Sequence, residues 1–458
     1  MKCSKPYFFL ALLFMLCSTL PAQELTYDLS DYKARFERRP GMQLNFRSDF
    51  DGRYITNNKG SFDGDFGGFT NWFLNRNTDE LISNWSITGS ALLGRTQFMF
   101  LGSNRVDERD RYFLSVSLNL RQDRYQSPNQ FWGYEIGFTG LESGTASSLP
   151  EQEDRTGRFG LNASLYKGTG RIEFAEDALL ARWMLQDLQT AGVTSDYSAE
   201  DVQALAETIT FIIGNRVFDF RRRRIYELEQ LQQTLLERGV TGEESFLLFA
   251  VLNDNWAFAN RATLTHGNRF AYGVQSEIRG NSLRESFFDT KTKRRFLDNT
   301  YGLFTEYTRS RIVKNNNGSN SFTARLDVNY YQEFEKFNSE DTENVSGGWQ
   351  GIASLNYTRT WLPNSRTTFR WSNTLSYRRF LQSNYGIDRT GGAFFGNQFR
   401  DNFVSSLFVD YFVSYQWAFR LQAAAEAYHI PAQETGPFRE RTFGFYPQIQ
   451  FSTNYFFF

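Results

Sequence analysis

Cysteine is nearly absent from this 458-residue chain, and its placement excludes disulfide chemistry. The two cysteines, Cys3 and Cys17, lie in an N-terminal segment where lysines precede a short apolar run that ends in small residues near Ala22. This is the pattern of a signal peptide, and the apolar run is too short to span a bilayer. We expect residues 1–23 to be removed on export, which leaves a mature chain without a thiol.

Histidine is equally scarce, and no catalytic motif surrounds His266 or His429, the two histidines of the chain. His266 precedes Gly267 and Asn268, which is turn chemistry. His429 lies near Glu426, but the serine motif of a serine–histidine pair does not accompany it. The net charge of −1 and the pI near 6.3 give no indication of the basic surface that nucleic-acid-binding proteins have. We therefore expect no enzyme, no metal site, no cofactor and no nucleic-acid partner.

Long hydrophobic runs are also missing, although aromatic residues are abundant. No run of about 18 apolar residues follows the signal peptide, which excludes transmembrane helices. Aromatic residues nevertheless make up 17% of the chain, while the mean hydropathy is only −0.51. Barrels that cross a membrane with strands need aromatic residues at both interfaces and keep a polar lumen, which lowers the mean hydropathy.

Segments with an apolar residue at every second position recur along the chain. In Phe322–Tyr330 the apolar side chains alternate with polar ones such as Arg325 and Asp327. Successive side chains of a strand point to opposite faces, so the segment has one apolar and one charged face. The polar face would lie outside in a soluble sandwich and inside in a transmembrane barrel. Composition, the export signal and the end of the chain favour the barrel.

The alternation predicts about 14 strands, the even number typical of single-chain bacterial barrels, and between about 12 and 16 are compatible with the pattern. Six precede and eight follow a break in the pattern. The predicted strands are Gln43–Ile55, Gly67–Asn77, Leu81–Thr96, Arg111–Arg124, Phe131–Leu141, Gly157–Arg171, Arg269–Arg279, Asn299–Val313, Ser321–Glu335, Gly347–Trp361, Arg366–Leu381, Asn402–Gln416, Phe419–His429 and Arg441–Phe457. The predicted short periplasmic turns are Asn77–Glu80, Leu362–Ser365 and Trp417–Ala418, and the predicted long outer loops are Glu142–Asp154, Asn281–Asp298 and Ser383–Arg400.

The last predicted strand carries its apolar residues on one face and ends with an aromatic residue. These residues are Phe443, Phe445, Ile449, Phe451, Tyr455 and Phe457, while Phe458 falls on the other face. The strand resembles the terminal strand of Gram-negative outer-membrane β-barrel proteins of the porin-like type. The resemblance implies an all-β transmembrane antiparallel barrel in the outer membrane, surrounded by lipid and recognised through this strand by the barrel assembly machinery.

The predicted organisation has four parts after the signal peptide. They are a periplasmic N-terminal segment at 24–41, strands 1–6 at 42–171, an α-helical insert at 172–256 and strands 7–14 at 257–458. The insert has apolar residues three and four positions apart, and loop parity places it in the periplasm. This apolar stripe comprises Leu205, Ile209, Ile212, Ile213, Ile225, Leu228, Leu231 and Leu235.

Three interpretations of the insert stay open: a cap at the barrel rim, a plug inside the lumen, or a docking module for a periplasmic partner. Its strongest charge run is Arg221, Arg222, Arg223 and Arg224. Such a run is typical of a solvated helix face, and alternatively it could clamp an anionic partner.

The polar face of the strands is predicted to line a lumen of mixed charge. Such a lumen either conducts as a weakly selective pore or braces the barrel through ion pairs. The sequence therefore predicts a porin-like channel for small polar solutes, or alternatively an outer-membrane scaffold or secretion and assembly component that docks a partner through the insert. The candidate lumen-lining residues are Arg121, Glu306, Arg325, Asp327, Arg370, Arg420, Gln422 and Glu426.

Overall fold

One antiparallel sheet of 14 strands forms the body of the protein in a computed structural model. Each strand pairs with its neighbours in the sequence, so the sheet runs in the order β1 to β14. This is the up-and-down order of transmembrane barrels. The structure describes residues 27–55, 59–99, 106–148, 151–215, 220–242, 245–256, 264–287, 290–313, 317–337, 343–383, 400–413, 417–430 and 442–455.

The predicted strands are confirmed in number and order. They are β1 (Phe36–Ile55), β2 (Lys59–Asn77), β3 (Leu81–Met99), β4 (Val106–Ser127), β5 (Gln130–Ser148), β6 (Glu151–Phe174), β7 (Thr265–Phe287), β8 (Thr290–Ile312), β9 (Gly318–Phe337), β10 (Glu343–Asn364), β11 (Thr367–Ser383), β12 (Arg400–Phe412), β13 (Trp417–Ile430) and β14 (Thr442–Tyr455). The longest, β6, has 24 residues. A tilted strand needs only about 9–11 residues to cross a bilayer, so the long strands extend well beyond the lipid.

Two of the predicted outer loops are wrong for this reason. The segments Glu142–Asp154 and Asn281–Asp298 are strand hairpins whose pairing continues to Ser148 opposite Glu151 and to Phe287 opposite Thr290. The hydrophobic alternation ends where the strands leave the lipid, but the hydrogen-bond ladder continues into water, where both faces can be polar.

The remaining turn predictions have mixed outcomes. The turn at Asn77–Glu80 lies between β2 and β3, and the turn at Leu362–Ser365 overlaps the end of β10. The turn predicted at Trp417–Ala418 is wrong, because both residues belong to β13. The loop predicted at Ser383–Arg400 falls almost entirely outside the described residues.

The two faces of the sheet differ in chemistry. On β9, Leu326 is 52% exposed on the outer face, whereas Asp327 and Asn329 are 7% and 3% exposed on the inner face. Apolar side chains stand exposed on the outer face of other strands as well: Leu114, Ile136, Leu165, Val274, Leu303, Leu355, Leu375, Leu407 and Leu421. So wide an apolar surface requires lipid around it, and strand pairing satisfies the backbone as hydrocarbon demands.

The insert between β6 and β7 contains, within its described residues, four helices: α1 (Glu176–Thr190), α2 (Ala199–Gly214), α3 (Phe220–Glu237) and α4 (Phe246–Trp256). Ser198 caps α2, because its hydroxyl accepts from the Asp201 N–H while the Asp201 carboxylate accepts from the Ser198 N–H. Gly239 follows α3 with a φ of 70°, a left-handed conformation that favours glycine. No described helix is long and apolar enough to span a membrane.

Most of the apolar stripe of the insert is buried within this chain. Ile209 and Ile213 are fully buried and Ile212 is 3% exposed, in one core that also holds residues of α1, α3 and α4. Including Ile225 in this stripe was wrong, because its side chain is 59% exposed. A helix buries only the part of its stripe that neighbouring helices cover, and on α3 that part begins at Leu228.

The four helices α1–α4, here named the helical cap, lie against one end of the barrel. Arg39 of β1 forms ion pairs with Glu176 and Asp177 of α1, with N–O distances of 3.0 and 2.5 Å. Arg366, beside the β10–β11 turn, pairs with Asp254 of α4 at 2.7 Å. Because one helical unit reaches both β1 and β11, the sheet must curve around that end.

Two of the predicted domain boundaries differ from those in the structure. β6 continues to Phe174 and β7 begins at Thr265, so the insert occupies 175–264 rather than 172–256. β1 begins at Phe36, inside the segment predicted as periplasmic at 24–41. The predicted signal peptide at 1–23 lies outside the described residues.

The two faces can be tested with one cation at two adjacent positions of β11. Leu375 is 45% exposed on the lipid side, and Ser376 is its inward neighbour. Leu375→Arg should destabilise the folded barrel by about 2–4 kcal/mol, because arginine is costly near the middle of a bilayer. Ser376→Arg should lower the stability of the folded barrel much less, since the new cation contacts water in the lumen. Denaturant titrations in lipid vesicles, read by heat-modifiable mobility, measure the difference; equal losses would contradict the assignment of the faces.

Candidate functional site in the barrel lumen

Six charged side chains meet on the inner face of β4, β7, β8 and β9. Three are arginines and three are carboxylates, so the group is electrically balanced. We name this group the lumen cluster; its members are Arg121, Asp123, Arg269, Glu306, Arg325 and Asp327.

Arg269 of β7 lies at the centre of the lumen cluster. Its Nε donates to Asp123 Oδ2 of β4 at 3.1 Å, and its Nη1 donates to Glu306 Oε1 of β8 at 3.0 Å. The side chains of Arg269 and Asp123 are only 7% and 5% exposed. Buried charges persist only when they are paired and hydrogen-bonded, so this arrangement ties β4, β7 and β8 to one another.

Arg325 of β9 extends the cluster further around the wall. Its Nε donates to the two oxygens of Asp327 at 3.0 and 3.3 Å, and its Nη1 lies 3.4 Å from Glu306 Oε2. Gln275 of β7 accepts from Arg325 Nη2 at 2.5 Å and donates to Asp327 Oδ1 at 2.8 Å. The carboxylates therefore remain hydrogen-bond acceptors held by fixed donors.

Aromatic rings pack beside the cluster on the same inner face. Tyr125, Phe131, Tyr166 and Phe304 are each at most 7% exposed and form a small core with Ala271. The Tyr166 hydroxyl donates to Asp123 Oδ1 at 2.7 Å, and the Arg269 guanidinium lies 4.7 Å from the centre of the Phe131 ring.

Gly133 makes this packing possible. A Cβ at that position would collide with the Tyr166 ring and would lie 2.6 Å from a carboxylate oxygen of Asp123. The absence of a side chain at Gly133 therefore lets the ring and the carboxylate approach the wall of the barrel.

A polar cavity of about 590 Å³ lies on the other side of the cluster from the helical cap. Charged, amide and hydroxyl groups from β4 to β11 dominate its lining, and Phe296 and Ile352 are among its few apolar side chains. Its lining residues outside the cluster include Glu135, Asn162, Glu277, Arg279, Asp298, Asn329, Glu333 and Arg378. The cavity suits a small polar solute better than an apolar one.

A second layer of ion pairs crosses the cap end of the barrel. Arg35 of the N-terminal segment donates to the two oxygens of Glu173 on β6 at 2.7 and 2.9 Å and to Asp79 at 2.6 Å. Arg171 of β6 lies 3.2 Å from Glu173 and donates to the Asn77 side chain at 2.6 Å. The N-terminal segment therefore bridges the β2–β3 turn and β6 across the barrel end.

A crowded acidic pair joins the helical cap to β1. Glu176 and Asp177 share the single Arg39 guanidinium, and Asp177 also accepts from the Thr210 hydroxyl at 2.5 Å. Burial, and after it the negative charge of Asp177, raises the pKa of Glu176 to about 8. Burial also raises the pKa of the Tyr32 hydroxyl, which lies 2.6 Å from Thr210.

The structure separates the eight predicted lumen-lining residues into two groups. Arg121, Glu306, Arg325 and Asp327 belong to the lumen cluster. The other four are at inward positions of β11 and β13, where Arg420 pairs with Asp410 of β12 at 2.6 Å; they are Arg370, Arg420, Gln422 and Glu426.

The arginine run of the insert is only partly described. Arg224 of α3 donates to the Asn253 side chain of α4 at 3.0 Å, and Arg223 lies 3.5 Å from Glu227 one turn along. These two side chains therefore join helices and turns within the cap, which corrects the expectation of a solvated face for this half of the run. The side chains of Arg221 and Arg222 lie outside the described residues.

Sequence reasoning missed Asp123, Arg269 and Gln275. Asp123 could have been predicted from the sequence, because it lies two residues after Arg121 and so is on the same face of the strand. Arg269 and Gln275 share the face of Ala271 and Gly273, which gives little sign of charge. Among the described residues, no group of three or more histidine, cysteine, aspartate or glutamate side chains is placed to hold a metal ion.

The apolar outer face and the ion-paired inner face decide the class of this protein. The chain is an outer-membrane β-barrel. No protein-family model and no curated protein matches it.

Similar solved structures are also outer-membrane barrels. The translocator domain of the autotransporter NalP from Neisseria meningitidis is 7% identical, with a TM-score of 0.29, over 77% of this chain and 86% of that chain. A deletion mutant of the TodX monoaromatic hydrocarbon channel is 7% identical, with a TM-score of 0.32, over 94% and 92%. The transport unit of the autotransporter AIDA-I from Escherichia coli is 10% identical, with a TM-score of 0.26, over 88% and 97%. Likenesses of this size leave the functional argument to the chain's own geometry.

The central ion pair can be tested by removing one charge without changing shape. Asp123→Asn keeps an oxygen for Tyr166 but removes the more buried of the two counter-charges of Arg269, which then keeps only Glu306. The change should destabilise the barrel by about 2–3 kcal/mol, somewhat less than the loss of a buried charge's only partner. Arg121→Gln is the matched control, because Arg121 is 37% exposed and lies 3.9 Å from its acids; it should cost less than about 1 kcal/mol. Denaturant midpoints measure both, and similar small losses would contradict the bracing role.

The stability of the helical cap should fall as pH rises from about 5 to 8. The folded cap holds a proton on Glu176 until its pKa of about 8, whereas the unfolded chain loses it near 4.5. Over that window the folded state binds more protons, so raising the pH costs at most about 1.4 kcal/mol per unit. The urea concentration at which a protease cleaves the cap, measured across this range, reports the effect.

Two glutamine variants identify the group responsible. Glu176→Gln should flatten the pH profile of cap cleavage. Glu200→Gln, in the exposed first turn of α2, should keep the wild-type slope, because the pKa of Glu200 lies below 4.5. A wild-type slope in Glu176→Gln would show that another group carries the dependence.

Proposed function

We propose that this outer-membrane barrel is a channel for small polar solutes, closed at its periplasmic end by the helical cap. The polar cavity on the far side of the lumen cluster is the observation that carries the proposal. A solute entering from outside would meet hydrogen-bonding groups of both charge signs, which suits weak selectivity. Uptake of apolar solutes has less support from this lining.

The contacts between cap and barrel fit a closure that can open. Many of them are polar, as between Arg39 and Glu176 or between Arg366 and Asp254. The hydrophobic core of the cap also holds Leu29, Tyr32 and Ala34 of the N-terminal segment, and Phe36 and Leu362 of the barrel. Most of the other buried side chains of this core belong to α1–α4 themselves.

The proposed channel has no enzymatic activity. The carboxylates of the lumen cluster are held in ion pairs by arginines. They are thereby suited to electrostatic bracing and solute contact.

An outer-membrane scaffold is the second candidate, and the outside of the cap favours it. Large apolar side chains are exposed there: Phe211, Ile225, Tyr226, Phe246, Leu247 and Phe249, of which Phe246 is 86% exposed. Exposed apolar patches often mark protein interfaces. A periplasmic partner would bind at this surface, while β14 would serve the barrel assembly machinery.

Removal of the cap separates these functions. The Ala175 N–H donates to the Leu264 carbonyl at 2.9 Å, so residues 176–263 can be replaced by a two-residue Asn-Gly hairpin turn. In planar bilayers we expect brief, small conductance steps from the full-length protein and large, steady steps from the shortened protein. Heat-modifiable mobility checks that both are folded.

A cross-linking control uses the lack of thiols in the predicted mature chain. Asp254→Cys with Arg366→Cys places two thiols across the cap–rim ion pair, and a bismaleimide joins them. The joined protein should lose the brief openings that the unjoined double variant keeps. Silence from the full-length and shortened proteins alike would contradict the channel and leave the scaffold.

A further inference from the structure

A row of cations lies on the lipid-facing side of β7, β8 and β9, at the end of the barrel opposite the helical cap. Outward positions of a strand are every second residue, and on β8 Leu297, Tyr301 and Leu303 identify them by their exposure. The same parity places five cations outward. We name them the basic row: Arg284, Lys291, Lys293, Arg295 and Lys336.

Strand register brings these cations together. Arg284 of β7 is directly opposite Lys293 of β8, and Arg295 of β8 is directly opposite Lys336 of β9. Lys293 lies close enough to Arg284 and Arg295 for their positive charges to act on it. Directly opposed like charges repel across a ladder, so the row stores repulsion that an anion would relieve.

Cations outnumber acids on this side of the wall. In the described parts of β7 to β9 beyond Leu297, the outward positions hold no carboxylate. The outward acids of the neighbouring strands include Glu142, which lines the groove described below, Glu153 of β6, and Glu343 of β10 opposite Lys336. Glu285 and Glu333 have the opposite parity and face the lumen. On β6, Arg155 is directly opposite Arg284 but is already paired with Glu142.

The basic row borders the apolar belt. Below it, Phe159, Leu297 and Phe334 are on the outward face of β6, β8 and β9, in the last apolar tier before the cations. About 10 residues of β7 separate Phe270 near the cap end from this tier, which matches the length of strand that crosses a bilayer. The cations therefore stand at the height of the lipid headgroups.

A groove of about 530 Å³ connects the apolar tier with the row. Arg295 and Lys336 line its upper side, and Leu297 and Phe334 line its lower side. Small residues form its floor, and at Gly157 a Cβ would meet no atom within 4 Å. The groove thus offers room for a bulky headgroup beside cations that can bind its phosphates.

We propose that the basic row and its groove bind the phosphate groups of an outer-leaflet glycolipid. The depth of the row in the membrane favours a lipid headgroup over a soluble anion, and the groove gives the sugar backbone of that lipid a place against the wall. The assignment to the outer leaflet depends on the helical cap lying in the periplasm. It does not depend on conduction through the lumen.

Binding can be measured on the full-length protein in a zwitterionic detergent by native mass spectrometry. The probe is lipid A with two phosphates, and its phosphate-free derivative is the comparison. Wild-type protein should retain the phosphorylated lipid and release the derivative. Arg295→Gln with Lys336→Gln should weaken retention about 30-fold, since each cation near a charged lipid contributes about fivefold. Gly157→Leu, which fills the groove without changing charge, should also weaken retention.

Lys167→Gln is the matched control, because it removes an outward cation near the cap end of β6. It should retain the lipid like the wild type, and heat-modifiable mobility should show all variants folded. Unchanged retention in the double variant or in Gly157→Leu would overturn the proposal. So would equal retention of the phosphate-free derivative, or displacement of the lipid by inorganic phosphate at millimolar concentration, which would indicate a site for a soluble anion.

Discussion

The need of every backbone amide for a partner inside hydrocarbon is the constraint on which the rest of this structure depends. From β1 to β14 an up-and-down ladder meets it between neighbouring strands, because each strand finds its partner next in the sequence. The ladder is unbroken even at the insert, where Phe174 of β6 is opposite Thr265 of β7. Some 90 residues can leave and return there, because the entropic cost of closing a loop grows only slowly with its length. The helical cap is in this sense one long hairpin connection that carries its own core.

The membrane-spanning part of each strand could be predicted from the sequence, and its outer end could not. Lipid on one side and a polar lumen on the other require apolar and polar residues to alternate strictly. Segments such as Phe322–Tyr330 can therefore be recognised as strands from the sequence alone. Beyond the lipid both faces of a strand meet water, so nothing requires apolar and polar residues to alternate. The hydrogen bonds between the strands nevertheless continue there. This explains why Glu142–Asp154 and Asn281–Asp298 have the composition of loops and the geometry of strands. The basic row belongs to that same zone, where sequence pattern alone does not distinguish a lipid-facing cation from a loop cation.

The sequence predicts which side chains face the lumen, but it does not predict which of them pair with one another. Parity alone places Arg325 and Asp327 inside, and both lie in the lumen cluster. Which charges meet across the lumen depends on the curvature and stagger of the sheet, which no single strand encodes. Arg269 and Asp123 are on strands separated by β5 and β6, and they meet because a long guanidinium side chain spans that distance. Small residues such as Gly133 are part of the same arrangement, since they admit the rings that cover the pair.

The helical cap shows how two kinds of interaction divide the work of closing the barrel. Residues such as Ile209 and Leu231 hold the helices to one another by burial of apolar side chains, which does not depend on pH. Arg39, Glu176 and Asp177 hold the helices to β1 by charge, which responds to salt and pH. The group of one arginine and two buried carboxylates has no net charge only when one carboxylate binds a proton. Glu176 is the carboxylate that binds it. Because these charged contacts respond to pH and the burial of apolar side chains does not, pH acts on the cap through its junction with β1.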